Sequence, residues 1–174
     1  MNIWDALQQF LCYDKSTRKG MIYNMTYILI TAGIFLLDLL IKGYMDKKYA
    51  RKVQHKRCKG KIIIEKYYNN GAALNLLAKK PKLMKYIHTL IMVLVCVVYY
   101  FVLKITGKKI GKLGMALVTG GGLSNLFDRY TKGHVVDYFR FNIGPKWLRR
   151  IIFNVSDFCI FIGAVIAVLG SEME

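Results

Sequence analysis

The chain has 174 residues, of which 55% are hydrophobic, and a formal net charge of +17. Its length suits one domain, but this hydrophobic content and the positive mean hydropathy exclude an ordinary soluble domain. The cations lie between apolar segments rather than on one folded face with interleaved aromatic residues, so we expect no nucleic-acid partner.

Four long apolar segments run at about residues 25–44, 84–103, 113–127 and 151–170. A membrane span takes about 20 residues, so the first, second and fourth segments are long enough and the third is short. We expect a membrane all-α protein, a four-transmembrane-helix bundle, in which residues 1–24 form a basic N-terminal extension and residues 25–174 form the membrane domain.

The first predicted helix carries an acid and a base, Asp38 and Lys42, four residues apart. This spacing puts both side chains on one helix face, where they can pair. One interpretation is a neutralised pair near the membrane interface, with Lys42 reaching outward to water.

The connection between the first and second helices is strongly basic, with twelve Lys or Arg between residues 46 and 82. Its segment 61–68, KIIIEKYY, has the composition of a strand, and the following NNGAAL is typical of a turn in which Gly71 can adopt a positive φ. We expect a small sheet on the membrane surface. Without further information, turn formation alone accounts for Asn69, Asn70 and Gly71.

The second helix contains no acid, and we interpret its Tyr86, His88 and Thr89 as interfacial side chains, with a packing role only. The third helix contains GGGLSNLFDR from residue 120. Its glycines favour close contact with neighbouring membrane helices. A phosphate-binding loop is not supported, because no strand precedes the glycines and no GK[ST] follows them.

Polar residues end the third helix and begin the fourth. Asn125 and Asp128 share a helix face, and Arg129 is expected to pair with Asp128. The segment GHVVDYF then predicts a turn at Gly133 and a strand that carries Asp137. In the fourth helix, Asn154 precedes Asp157 by three residues, and a start near residue 151 puts Asp157 six residues into the span.

The acids of the helices are expected to gather on one side of the membrane. Four successive spans alternate in direction, so the helix ends that carry Asp38, Asp128 and Asp157 meet on the side of the two long connections, which carry Asn69 and Asp137. An acid at membrane depth costs roughly 2.5–3.5 kcal/mol, which favours a functional role. Two close carboxyls share a proton and can activate water, as in aspartic peptide hydrolysis.

The sequence resembles the bacterial lipoprotein signal peptidases, or signal peptidase II. The matching segments are DxxxK at Asp38 and Lys42, NNGAA at 69–73, GGGLSNLFDR at 120–129, GHVVDYF at 133–139, and FNVSD at 153–157. Together with the four spans they cover about residues 36–170.

The resemblance implies an intramembrane aspartic endopeptidase without metal or cofactor. It would remove the signal peptide from diacylglyceryl-modified prolipoproteins, cleaving before the lipidated Cys. The implied catalytic residues are Asp137 and Asp157. The implied supporting, substrate-binding positions are Asp38, Lys42, Asn69, Gly71, Asn125, Asp128, Arg129 and Asn154. The implied setting is the bacterial cell membrane, with cytoplasmic termini and an extracytoplasmic active site under a small β cradle between helices one and two.

Three positions depart from the usual family pattern, namely Leu39, Leu74 and Ser124, and we expect them to affect substrate preference more than chemistry. We expect a monomer. The four cysteines have no CxxC pattern and no metal-like spacing with the three histidines, so no metal site is expected.

The distribution of charge and the resemblance disagree on orientation. Eighteen Lys or Arg lie in the two long connections, against seven on the other side, so the positive-inside rule alone would put the acids in the cytoplasm. We follow the resemblance and expect the basic connections to bind anionic membrane lipid. Two alternatives stay open: a catalytically silent, lipid-binding relative, and a proton-relay transporter.

Overall fold

The computed structural model describes residues 3–72 and 76–173, with side chains described for residues 24–72 and 76–170. Ala73 and Leu74, which belong to the expected turn, lie outside the described residues. The helices and strands, in chain order, are α1 (Ile3–Lys48), β1 (Gln54–Arg57), β2 (Ile62–Asn69), α2 (Pro81–Lys104), α3 (Lys109–Thr131), β3 (Val135–Phe141) and α4 (Val155–Met173).

The first helix begins much earlier than expected. We predicted a start near residue 25, but α1 is continuous from Ile3, so the described part of the expected extension is helical. No proline occurs before Pro81, and proline is the residue that most strongly breaks a helix. Pro81 itself opens α2, where its missing N–H removes no helical hydrogen bond.

Helix α3 lies at the centre of the bundle, and its three consecutive glycines face three different helices. A Cβ at Gly120 would lie 2.7 Å from the Thr31 carbonyl oxygen of α1, and one at Gly121 would lie 2.7 Å from the Ser156 carbonyl oxygen of α4. A Cβ at Gly122 would collide with the Met92 sulfur of α2. The expected close approach of neighbouring helices at these glycines is present.

Glycines also bring α3 and α4 into contact further along their length. A Cβ at Gly163 would lie 2.7 Å from the Gly114 carbonyl oxygen, and one at Gly170 would lie 2.7 Å from the Gly111 nitrogen. The two backbones therefore run side by side, which places the start of α4 against the C-terminal half of α3.

The outer surface of the bundle is apolar. In the described part of the chain, two helical stretches are long and apolar enough to cross a membrane, Asn24–Lys48 and Pro81–Lys104, and a shorter apolar stretch covers Val155–Gly170. Large side chains such as Leu40, Leu90 and Phe161 are 72%, 62% and 71% exposed. An exposed apolar surface of this kind is consistent with a membrane protein.

The three strands form one antiparallel sheet in the order β1-β2-β3. We expected the sheet in the connection between the first two helices and a separate strand at Asp137, and the structure joins them, because β3 pairs with β2. In the register of β2 and β3, Tyr67 lies opposite Asp137 and Asn69 lies opposite Val135. The turn before β3 is made at Gly133, whose φ is +78°, as expected.

Strand β3 also pairs with the chain immediately before α4. The Phe153 N–H donates to the Phe139 carbonyl at 2.7 Å, and the Phe139 N–H donates to the Phe153 carbonyl at 3.0 Å. Because Phe153 is extended, α4 begins at Val155 instead of the predicted residue 151. Asp157 is consequently the third residue of α4, not the sixth residue of a span.

Candidate active site

A fully buried ion cluster lies between α1 and α3. Lys42 Nζ is 2.7 Å from Asp38 Oδ2 and 3.4 Å from Asp128 Oδ2, and all three side chains are inaccessible to solvent. The predicted Asp38 and Lys42 pair is present, but Lys42 does not reach outward to water. Burial of a charged side chain is costly unless an opposite charge lies beside it. Here the Lys42 ammonium lies between the carboxyls of Asp38 and Asp128.

Asp38 joins the start of α4 to α1 and α3. Its Oδ2 accepts hydrogen bonds from Ser124 Oγ at 2.6 Å and from Ser156 Oγ, and its Oδ1 accepts from the Ser156 N–H at 3.3 Å. Neither serine was among the predicted site residues. Both lie within the GGGLSN and FNVSD segments, so the segments pointed to the region but not to these contacts.

Asp128 is paired differently from our prediction. Its Oδ1 lies 2.8 Å from Lys132 Nζ, and its Oδ2 accepts a hydrogen bond from the Val136 N–H at 3.3 Å. The expected partner, Arg129, instead donates to the carbonyl oxygens of Asn125 and Gly71. Asp128 therefore anchors the start of β3, and Arg129 anchors the turn after β2.

Asn125 connects the ion cluster to Asp157. Its Oδ1 accepts a hydrogen bond from Lys42 Nζ at 2.7 Å, and its Nδ2 donates to Asp157 Oδ1 at 3.0 Å. Because an ammonium group can only donate, Lys42 fixes which end of the Asn125 amide faces it. The NH₂ group is thereby directed to the Asp157 carboxylate.

Asn154 and Asp157 cap the first turn of α4 reciprocally. Asn154 Oδ1 accepts from the Asp157 N–H at 3.0 Å, and Asp157 Oδ2 accepts from the Asn154 N–H at 3.0 Å. This is the geometry of a capping box, here built from Asn and Asp. The cap fixes the Asp157 side chain at the helix end that faces β3.

Asp137 on β3 is 2% exposed and is held by two amides. Asn69 Nδ2 donates to its Oδ2 at 2.9 Å, and Asn154 Nδ2 donates to its Oδ1 at 2.7 Å. Burial raises the pKa of Asp137 to about 8, and the neighbouring Asp157 carboxyl contributes to the increase. Burial therefore favours the protonated form of Asp137.

Gly71 lies in the turn after β2. We expected it to adopt a positive φ, but it does not, and glycine is needed there because no side chain would fit. A Cβ there would collide with the Leu76 carbonyl oxygen and lie 2.9 Å from the Ala78 nitrogen. The Gly71 N–H donates to Asn69 Oδ1 at 3.0 Å, which orients the Asn69 amide toward Asp137.

A cavity of about 630 Å³ opens beside the two acids. Its lining includes six of the predicted positions, namely Asn69, Gly71, Asn125, Arg129, Asp137 and Asp157. Asn154 does not line the cavity, although its neighbour Phe153 does. Asp38, Lys42 and Asp128 do not line it, and they act on it only through the residues that they hold. The cavity also exposes apolar walls from Ile152, Ile160 and Ala164.

Helix α2 contributes Met84 and His88 to this cavity, although we assigned that helix a packing role only. The signal available in the sequence was a histidine in an otherwise apolar segment. Among the described side chains of residues 24–72 and 76–170, no group of three or more His, Cys, Asp or Glu is arranged to hold a metal ion. The chemistry open to this site is acid–base chemistry by two carboxyls, those of Asp137 and Asp157, which line one partly apolar cavity.

The chain is similar to proteins of one known family. A family model described as signal peptidase (SPase) II matches residues 14–172. A lipoprotein signal peptidase of Pseudomonas aeruginosa is 31% identical over 148 residues, which cover 84% of this chain and 87% of the relative. One of Aquifex aeolicus is 30% identical over 144 residues, which cover 82% and 83%.

Two solved structures described as bacterial membrane enzymes have the same fold, with TM-scores of 0.73 and 0.71 and 22% sequence identity. The matches cover 84% and 86% of this chain, and 87% and 94% of those chains. The family model spans nearly the whole chain, including every residue of the buried ion cluster and of the two-carboxyl cavity, and the chain therefore belongs to the signal peptidase II family.

Proposed function

We propose that the chain is an aspartic endopeptidase that removes the signal peptide from diacylglyceryl-modified prolipoproteins, with Asp137 and Asp157 as its catalytic residues. The observation that carries the proposal is that the buried Asp137 carboxyl and the part-buried Asp157 carboxyl are both bound by Asn154 at the wall of one cavity. Family membership supplies the reaction class, and the relatives are named lipoprotein signal peptidases.

The two carboxyls have different surroundings, which suggests different roles. We place the shared proton on Asp137, whose pKa is raised by burial and by the nearby acid. Asp157 accepts hydrogen bonds from Asn125 Nδ2 and from the Asn154 N–H, and donors of this kind favour the ionised form of a carboxyl.

In the proposed reaction, ionised Asp157 takes a proton from water as the water oxygen bonds to the scissile carbonyl carbon. Asp137 donates its proton to the carbonyl oxygen, which gives a neutral gem-diol. When the C–N bond breaks, Asp157 returns a proton to the leaving nitrogen and Asp137 recovers one from the gem-diol. The carboxyls thus regain their starting state, and one water molecule is consumed.

The ion cluster and the amides are proposed to position these acids. Lys42 orients Asn125, Asp38 holds the start of α4 through Ser156, and Asp128 holds the start of β3. Asn69, Gly71 and Arg129 form the wall of the cavity nearest the sheet, where we expect the substrate backbone to lie. None of these positioning residues is assigned a proton transfer.

We further propose that all four helices lie in the bacterial cell membrane, with the cavity on the extracytoplasmic side and the chain acting as a monomer. On that side, the exposed Arg51, Lys56, Arg57, Arg149 and Arg150 would meet anionic membrane lipid. Each basic residue near such a surface contributes about 1 kcal/mol of attraction.

The proposal is tested with the purified chain and two synthetic peptides that differ only in a diacylglyceryl group on one Cys. We expect cleavage on the amino side of the lipidated Cys, and little cleavage of the unmodified peptide. Binding without cleavage would indicate a silent lipid-binding relative. Equal cleavage of both peptides would contradict recognition of the lipid.

A further inference from the structure

The first turn of α4 is tied to other elements through its backbone N–H groups. The first four N–H groups at a helix start have no acceptor within the helix. In α4, two of them are satisfied by the reciprocal cap described above. The Ser156 N–H instead donates to Asp38 Oδ1 of α1 at 3.3 Å, and the Val155 N–H donates to the Tyr138 hydroxyl of β3 at 3.1 Å. The position of Asp157 therefore depends on α1 and β3 as well as on its own cap.

Tyr138 directly follows Asp137 on β3, but it does not belong to the wall of the cavity. Side chains of successive strand residues point to opposite faces of a sheet. Accordingly, Asp137 lines the cavity and Tyr138 does not. The Tyr138 side chain is 6% exposed, and burial raises its pKa, so the hydroxyl keeps its proton. Any effect of this hydroxyl on the acids must therefore pass through α4.

Strand β3 contacts the start of α4 at two points, one on each side of Asn154. Before Asn154, backbone hydrogen bonds of 2.7 and 3.0 Å join Phe153 to Phe139. After Asn154, the Tyr138 hydroxyl accepts from the Val155 N–H. With the Phe153 contact alone, the first turn of α4 could tilt relative to β3. The second contact opposes this tilt.

Such a tilt would change the separation of the two acids. Asp137 is on β3, and Asp157 is in the first turn of α4. Two carboxyls that act on one water molecule and one amide must both stay within hydrogen-bonding reach of these groups. A displacement of about 1 Å can lower a rate by about 100-fold.

We propose that Tyr138 is a positioning residue of the two-acid site, and that its hydroxyl fixes the first turn of α4, with Asp157, against β3, with Asp137. This inference rests on the proposed peptidase function, to which it adds a residue outside the cavity. Tyr138 is assigned no contact with the substrate and no proton transfer.

The test is Tyr138→Phe, which removes the hydroxyl and keeps the ring. The matched control is Tyr68→Phe, since the Tyr68 hydroxyl also belongs to the sheet but donates to Asp46 of α1, at 2.7 Å. With the lipidated peptide, we expect the kcat of Tyr138→Phe to fall about tenfold or more and its KM to change less than about twofold. Tyr68→Phe should keep the parent values. A parent-like kcat in Tyr138→Phe, or an equal loss in both variants, would overturn the proposal.

The dependence of kcat/KM on pH distinguishes positioning from a general loss of stability. The Asp157 carboxyl contributes to the raised pKa of Asp137, so a larger separation of the two acids should lower that pKa. We expect the alkaline limb of the pH profile to move to lower pH in Tyr138→Phe but not in Tyr68→Phe. A lower kcat with an unmoved alkaline limb would indicate a structural role only, against the proposal.

Amide hydrogen exchange reports the same contact without cleavage. The Val155 N–H loses its acceptor in Tyr138→Phe, so exchange in the first turn of α4 should be faster than in the parent chain and in Tyr68→Phe, measured by mass spectrometry. Unchanged exchange would show that the hydroxyl does not fix this turn. If the parent chain cleaves no lipidated peptide but the difference in exchange is present, the peptidase function fails and the contact of Tyr138 with α4 is still supported.

Discussion

Asn154 Nδ2 lies 2.7 Å from Asp137 Oδ1, so an amide on the first residue before α4 holds an acid on β3. The same side chain caps α4 by accepting from the Asp157 N–H. One residue thus joins helix capping to the relative placement of the two acids, and these two roles can be separated by mutation.

Asn154→Ala should remove both roles, and Asn154→Ser should remove only one. Serine is a good N-cap but is too short to hold Asp137 across the same gap. We expect Asn154→Ala to lower the free energy of unfolding by about 1 kcal/mol and Asn154→Ser to restore most of it. Both variants should have a strongly reduced kcat, measured with the lipidated peptide. Full activity in Asn154→Ser would show that the bond to Asp137 is dispensable.

Lys42→Met should destabilise the protein strongly, because it leaves Asp38 and Asp128 buried with one cation fewer. Removing one partner of a buried ion pair costs about 3–5 kcal/mol. The measurement is thermal unfolding in detergent, with Lys47→Met as the control, since Lys47 is an exposed lysine of the same helix. Addition of Asp38→Asn should recover part of the loss. A Tm equal to that of the control variant would contradict the ion cluster.

Gly121→Ala should displace the start of α4, because its new Cβ would lie 2.7 Å from the Ser156 carbonyl oxygen. Overpacking of this kind typically costs about 1–3 kcal/mol. Gly33→Ala is the control, since a Cβ there meets nothing within 4 Å. We expect a lower Tm and a lower kcat only in Gly121→Ala, measured side by side. Similar behaviour of the two variants would rule out the close contact.

The pKa of Asp137 predicts how stability changes with pH. The folded value of about 8 lies above the ordinary value of about 3.9, so between these values the folded protein binds more protons than the unfolded chain. The contribution of Asp137 to stability is therefore fully present below pH 4 and is lost as the pH rises through about 8.

The Asn that replaces Asp137 in the Asp137→Asn variant cannot ionise. The Tm of the variant minus the Tm of the parent chain should therefore increase from pH 4 to pH 8 and stay constant above pH 8. Thermal unfolding at one-unit intervals measures this, with Asp46→Asn as a control at a more exposed acid. A difference in Tm that does not change with pH would contradict a raised pKa at Asp137.

Much of the fold follows from local sequence patterns. The apolar segments locate all four helices, and the alternation of their directions explains why Asp38, Asp128 and Asp157 lie at one end. The predicted helix boundaries were less accurate, since α1 begins earlier and α4 begins later than predicted. The start of α4 depends on the bridge between Phe139 and Phe153, a contact between segments 14 residues apart that no local pattern reveals.

The site was predictable in its residues but not in its contacts. The motifs located the acids and amides, yet the pairing of Arg129 with the Gly71 carbonyl, instead of Asp128, depends on how the turn after β2 packs on α3. The same holds for the fully buried Lys42, whose partners Asp38 and Asp128 come from two helices that only the packing of the bundle brings together. His88 was missed because its neighbours in the sequence are interfacial and apolar.

The central claim is that Asp137 and Asp157 act together on one water molecule. The most direct measurement is the rate of cleavage of the lipidated peptide by Asp137→Asn, Asp157→Asn and the double variant, all with the parent far-UV circular dichroism spectrum. Groups that act as a unit have non-additive effects, so each single variant should lose at least about 10²- to 10⁴-fold in kcat and the double variant little more. A single variant that keeps a rate within a few-fold of the parent chain would contradict the account.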